Sequence, residues 1–190
     1  YTTYNINPII DSDDQAYYEF IYAKYLYVFA YKFENDVFYQ AKVHCAKASN
    51  LLIASKNSLH DDIDILYAIL LRYEGKLNDS VELLKKVLDN QLKHLVPDKT
   101  CQTALELGAI YRELTRFDDA MTVYEKIENT CSLSAYWNAR LKLNTGIILK
   151  NRLQLRISEG NVSFSDYENY KKTEEFFKFV YHYAKTCDDV

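Results

Sequence analysis

The chain has 190 residues, 48% apolar and 26% charged, with a formal net charge of −4, enough for one domain with a substantial core. The acidic balance argues against a dedicated nucleic-acid binder, whose affinity would come from clustered Lys and Arg neutralising phosphates. With 18 Tyr and 9 Phe against 4 Gly and 2 Pro, the composition favours long helices held by packing of large side chains, because Tyr is only a middling helix former.

Residues 1–13 carry Pro8 and the acidic cluster Asp11, Asp13 and Asp14 without a helical period, which predicts an extended arm that ends by capping the first helix. From Tyr18 the apolar residues fall at Tyr22, Tyr25, Phe29 and Phe33, alternating steps of four and three that mark one face of an amphipathic helix. A short turn is expected over Glu34 to Val37. The partner helix then carries Ala41, Cys45, Ala48 and Leu52. A second pair is expected from Asp61 to about His94, with Gly75 in its turn, Asn78 as N-cap and Pro97 closing the unit. Asp98 would cap a third pair running from about Lys99 to Glu128 and turning near Thr115 to Phe117. The fourth opens after Ser134 with Trp137, Leu141, Gly146 and Leu149 in register, and residues 158–163 read as a loop. Ser165 and Glu168 form a capping box for the last helix, which ends near Thr186. Phe176, Phe177, Phe179, Val180, Tyr181 and Tyr183 surround that helix, and a helix apolar all round is buried on more than one face. A further repeat or a second copy of the chain is therefore expected to cover it.

Small residues carry the organising signal. Leu107, Gly108, Tyr111, Ala120, Tyr124 and Ile127 stand at the offsets that lock two antiparallel helices together, with Gly108 and Ala120 where the backbones cross. Tyr67, Ala68, Leu71, Gly75, Ser80, Leu84 and Val87 repeat that register upstream. The spacing resembles the tetratricopeptide repeat, a family of stacked helix pairs. The resemblance implies an all-α fold, an α-solenoid of antiparallel helix pairs wound into a right-handed superhelix of about seven to eight helices. Its single domain would span 14–190 in units of about 14–57, 61–97, 98–131 and 134–187. The intervals from Ala68 to Gly108 and from Gly108 to Gly146 exceed the usual ~34 residues, so helices about one turn longer are expected.

Catalytic motifs are absent. Gly75-Lys76 lacks the rest of a phosphate loop, there is no His-Glu-x-x-His, and His44 and the adjacent Cys45 point about 100° apart on a helix. Acidic pairs such as Asp61 with Asp62, Asp118 with Asp119 and Glu174 with Glu175 read as helix-dipole and solubility features. No enzyme activity, cofactor or metal is expected. Cys45, Cys101, Cys131 and Cys187 lie far apart and read as buried free thiols, and the chain is expected in the cytoplasm. Asn78-Asp79-Ser80 fits a glycosylation pattern, but Ser80 is needed for packing; Asn161-Val162-Ser163 fits it too. No apolar run approaches the roughly 20 residues that span a bilayer, so no membrane insertion is expected. A chain that begins at Tyr1 with Met121 as its one Met is expected to be a fragment or a processed product.

Laid over one another on Ala68, Gly108 and Gly146, the units place Arg72, Arg112 and Lys150 four residues later. In the resembled family, first helices line a concave face and this offset points into it. Three cations would then form a ladder with Ile65, Leu105, Leu143, Ile69, Ala109 and Ile147 as its aliphatic neighbours and Tyr73 as an aromatic wall. Such a groove suits a partner peptide with acidic and aliphatic side chains. The competing account is that the aliphatic columns pack helix on helix and the cations pair with Glu74 and Glu113. Ile65 and Ile69 stand where the carboxylate clamp of some family members needs Lys and Asn. Arg140, Lys142, Lys150, Arg152 and Arg156 make the fourth unit locally basic, without the aromatic interleaving of a nucleic-acid platform. The expected function is a protein-interaction module; the alternative is a peptide- or ligand-sensing regulatory segment of a larger protein.

Overall fold

A computed structural model describes residues 11–30, 35–52, 59–94 and 96–188. They form helices α1 (Ser12–Ala30), α2 (Asn35–Leu51), α3 (Leu59–Tyr73), α4 (Leu77–His94), α5 (Pro97–Glu113), α6 (Phe117–Thr130), α7 (Ala135–Ser158) and α8 (Phe164–Asp188), with no strand among the described residues. The protein is all-α, built of helices that pack on their neighbours in consecutive pairs. It divides into two compact units, Tyr1–Leu83 and Leu84–Val190, with the boundary inside α4.

In the first unit α1 packs along α2, and α3 touches both. The arm expected over 1–13 falls mostly outside the described residues, but Ser12 and Asp13 already belong to α1, where acidic groups in the first turn complement the helix dipole. The α1 stripe differs from the expected one: Ala16, Phe20, Ala23 and Leu26 are buried, whereas Tyr18, Tyr22 and Tyr25 are exposed. The reason is steric. Ala16 and Ala23 let the helix axes approach, while a tyrosine stripe would hold them apart and bury three hydroxyls. The tyrosines stack instead in an outer row with ring centres 6.3 and 6.2 Å apart. The side chain of Phe29 and all of Phe33 and Glu34 lie outside the described residues. Asn35, Asp36 and Val37, expected in a turn, open α2. Ala41, Cys45, Ala48 and Leu52 are buried as the pattern requires, joined by Leu59, Ile63, Leu66 and Leu70.

Helix ends recur more faithfully than sequence. After α3, the Gly75 N–H donates to Arg72 O at 3.0 Å and the Lys76 N–H to Leu71 O at 2.9 Å. The same two bonds follow α5, from Thr115 to Arg112 O and from Arg116 to Tyr111 O, and follow α7, from Gly160 to Ile157 O and from Asn161 to Arg156 O. Each is a Schellman ending, which needs a left-handed residue. Gly75 and Gly160 supply it freely at φ 76° and 70°, and Thr115 adopts it at φ 56° against the preference of a β-branched residue.

In the second unit α5 pairs with α6, α7 pairs with α8, and α7 touches both α5 and α6. Ala120 is buried, and Tyr124 of α6 packs over Gly108 of α5, as Phe177 of α8 covers Gly146 of α7. In the first unit Ser80 is fully buried and its Oγ donates to Ala68 O at 2.6 Å, so its hydroxyl is committed to packing. Helix starts are less well anticipated. Asn78 lies inside the first turn of α4, and Pro97 opens α5 rather than closing α4, because its missing N–H is harmless at that first position. Asp98 therefore sits inside α5, where Oδ1 accepts the Ser134 N–H at 3.5 Å. Helix α8 begins at Phe164, and its box is Ser163 with Asp166 rather than Ser165 with Glu168.

Candidate functional site

The expected site residues separate by burial and by unit. Ile65 and Leu105 are buried at 6% and 7% exposure and belong to the core: three residues before a crossing position points inward, so neither offers surface to a partner. Ile69 and Ile147 are half-buried. Tyr73 is exposed at its rim but stacked on Phe38, with centres 5.2 Å apart, and tilted against Tyr27 at 5.9 Å. It closes an aromatic trio on the first unit. Arg72 is half-buried and engaged in contacts of its own.

Glu74, suggested as a partner for these cations, is bound by Lys42 at 2.8 Å and Lys76 at 2.9 Å. The hydrogen bond from Lys42, seconded by that from Lys76, holds the Glu74 carboxyl below its usual range, and Lys42 is correspondingly raised. His44 and Cys45 diverge as their spacing requires: His44 pairs with Glu19 and meets Tyr22 edge-on at 4.6 Å, while Cys45 enters the core.

In the second unit, Arg112 of α5 and Lys150 of α7 hold the same register on two helices that touch. Arg112 is half-buried and Lys150 exposed, and neither forms an ion pair among the described residues. Three of the other basic residues on α7 are answered: Lys142 by Glu128 at 3.1 Å, Arg152 by Asp118 at 3.0 Å and Arg156 by Asp166 at 3.2 Å. That pairing disperses the local basicity of the fourth unit. Tyr136, Arg140, Leu143, Ile147 and Lys150 follow one another at steps of four and three, a single stripe of α7. At its head the Arg140 guanidinium lies 5.6 Å from both the Tyr136 and Trp137 ring centres and donates to Tyr136 Oη at 2.8 Å. This cluster was not anticipated; its signal is the Tyr136–Arg140 spacing of one helical turn.

The last helix is not covered all round. Phe176, Phe177, Val180 and Tyr183 are half-buried, while Phe164, Tyr167, Tyr170, Phe179 and Tyr181 are exposed. Among the described residues no helix is long and apolar enough to cross a membrane, and no group of three or more His, Cys, Asp or Glu could hold a metal ion. Compared with protein-family models and with curated proteins, the chain matches none.

Proposed function

We propose that the protein is a non-catalytic, tetratricopeptide-like interaction module whose α5–α7 face receives a peptide carrying acidic and aliphatic side chains. The observation that carries this reading is the matched pair Arg112 and Lys150, both without carboxylate partners among the described residues, whereas Lys142, Arg152 and Arg156 elsewhere on α7 each have one. Half-buried Ile147 supplies the apolar neighbour. Charge steers the encounter and apolar contact holds the complex. An intracellular setting accords with free Cys45 and Cys101.

The test is fluorescence anisotropy with a labelled peptide alternating Glu and Leu, and a Lys/Leu peptide as control. The acidic peptide is expected to bind and the control not to. Changing Arg112→Glu and Lys150→Glu together should weaken binding by about tenfold or more, and added salt should mimic that loss. Undiminished binding by the double variant, or equal binding of both peptides, would remove the site.

A further inference from the structure

A recess lies wholly within the first unit, which contains neither Arg112 nor Lys150. A half-open cavity of about 280 Å³ is lined by Cys45, Ala46, Ser49 and Asn50 of α2, Ile63, Asp64 and Tyr67 of α3, and Leu83 of α4. Its floor is apolar and fixed, since Cys45 and Ile63 are each 1% exposed. Ser49, Asp64, Tyr67 and Leu83 form half-buried walls, and Ala46 and Asn50 an exposed rim. The volume is at the lower end of ligand pockets, room for one large side chain rather than a cofactor.

The lining selects charge. No Lys, Arg or His is among these residues, and Asp64 is the carboxylate in the wall. The Cys45 thiol is pushed up to about 12 by burial and then by Asp64, so the floor stays neutral at physiological pH. Asp64 has contacts of its own, but a carboxylate has about four acceptor positions. The neutral oxygens of Ser49 and Asn50 add further acceptors, and Tyr67 adds an aromatic face. The ring is one that attracts cations: Lys42 Nζ, which is not part of the lining, lies 5.6 Å from its centre while bound to Glu74.

We propose that this cavity receives one arginine side chain of a partner protein. Its stem lies against Ile63 and Leu83, its plane against Tyr67, and its donors meet Asp64 with Asn50 and Ser49. Arginine is favoured over lysine because a planar fork both stacks on the ring and distributes several donors among separate acceptors.

The test is a titration of the ¹⁵N-labelled full chain with acetyl-Gly-Arg-Gly-amide and with its citrulline counterpart, which keeps the shape and lacks the charge. Amide signals of Asn50, Asp64 and Tyr67 should shift and saturate with the arginine peptide, and the citrulline peptide should bind about tenfold more weakly. Asp64→Asn should bring the two peptides level. Ala46→Trp, which fills the recess from its exposed rim without entering the core, should abolish saturation by both while leaving the melting temperature nearly unchanged. Arginine binding that survives Ala46→Trp, equal affinities for the two peptides, or no saturable shift up to ~10 mM would overturn the assignment. Because neither Arg112 nor Lys150 takes part, its failure leaves the α5–α7 face untouched.

Discussion

At Gly108 the phenol of Tyr124 lies where a side chain would begin: a Cβ built on the glycine falls 2.6 Å from Tyr124 Cε1, well inside van der Waals contact. The ring is 2% exposed, so it cannot swing out without opening the core, and burial raises its hydroxyl above the usual phenol value. Gly108→Ala gains about 1 kcal/mol of helix propensity and meets an overpacking cost of about 1–3 kcal/mol. The net expectation is a loss of about 1 kcal/mol in denaturant unfolding, and the loss should vanish when the same change is made in a Tyr124→Leu background. At Gly146 the corresponding gap to Phe177 Cε1 is 3.0 Å and that ring is half-buried, so Gly146→Ala should be better tolerated. A more stable Gly108→Ala protein would contradict the close crossing. The small residues were legible in the sequence; what covers them was not, since a ring of the partner helix, Tyr124 or Phe177, lies over each glycine. The α1 stripe was not, because alanine carries little hydrophobic signal beside tyrosines that repeat at the same spacing.

Helix α8 is secured at its start by Asp166. Its Oδ2 accepts the Ser163 hydroxyl at 2.6 Å, the Ser163 N–H at 2.8 Å and Arg156 Nη1 at 3.2 Å. The Ser163 hydroxyl first, then its backbone N–H, and then Arg156 hold the Asp166 carboxyl below its usual range. A depressed folded-state value stabilises the protein above the ordinary carboxylate value near 4, and this stabilisation is lost as pH falls through the depressed value. The difference in unfolding free energy between the wild type and Asp166→Asn should accordingly stay level from about pH 8 to 5 and shrink below about 4. Growth of that difference on acidification would exclude the cap. Sequence pattern identified a capping box here but set it two residues late, just as it advanced Asn78 and Asp98 as caps. Polar residues that favour the cap also favour the first turn, where the dipole welcomes them, so composition locates a helix start only to within that turn.

Across the whole molecule, the fate of the four cysteines reports the packing of both units. Cys45 and Cys101 are buried, each with its thiol pushed up to about 12 chiefly by desolvation; Cys131 is half-buried and raised by the same cause; Cys187 is exposed. In native protein at about pH 8, a thiol-specific chromogenic reagent should label Cys187 quickly, Cys131 slowly, and the other two only after denaturant is added. Rapid native labelling of Cys45 or Cys101 would refute the core that encloses them. Two of the charges proposed for the site come from sequence register, and its flanks do not. Register from Gly108 and Gly146 brings Arg112 and Lys150 to equivalent positions, whereas an aliphatic residue at a shared offset, such as Leu105, reads alike whether it faces a partner or the interior. The last hairpin shows what length alone can do. Helix α7 has 24 residues against 17 in α5, and α8 has 25 against 14 in α6, so two helical turns, about 10 Å, overhang the preceding pair. The Arg156–Asp166 tie clasps that overhang near its tip, where trimming both arms by whole turns would shorten the molecule while leaving the Gly146–Phe177 crossing in phase.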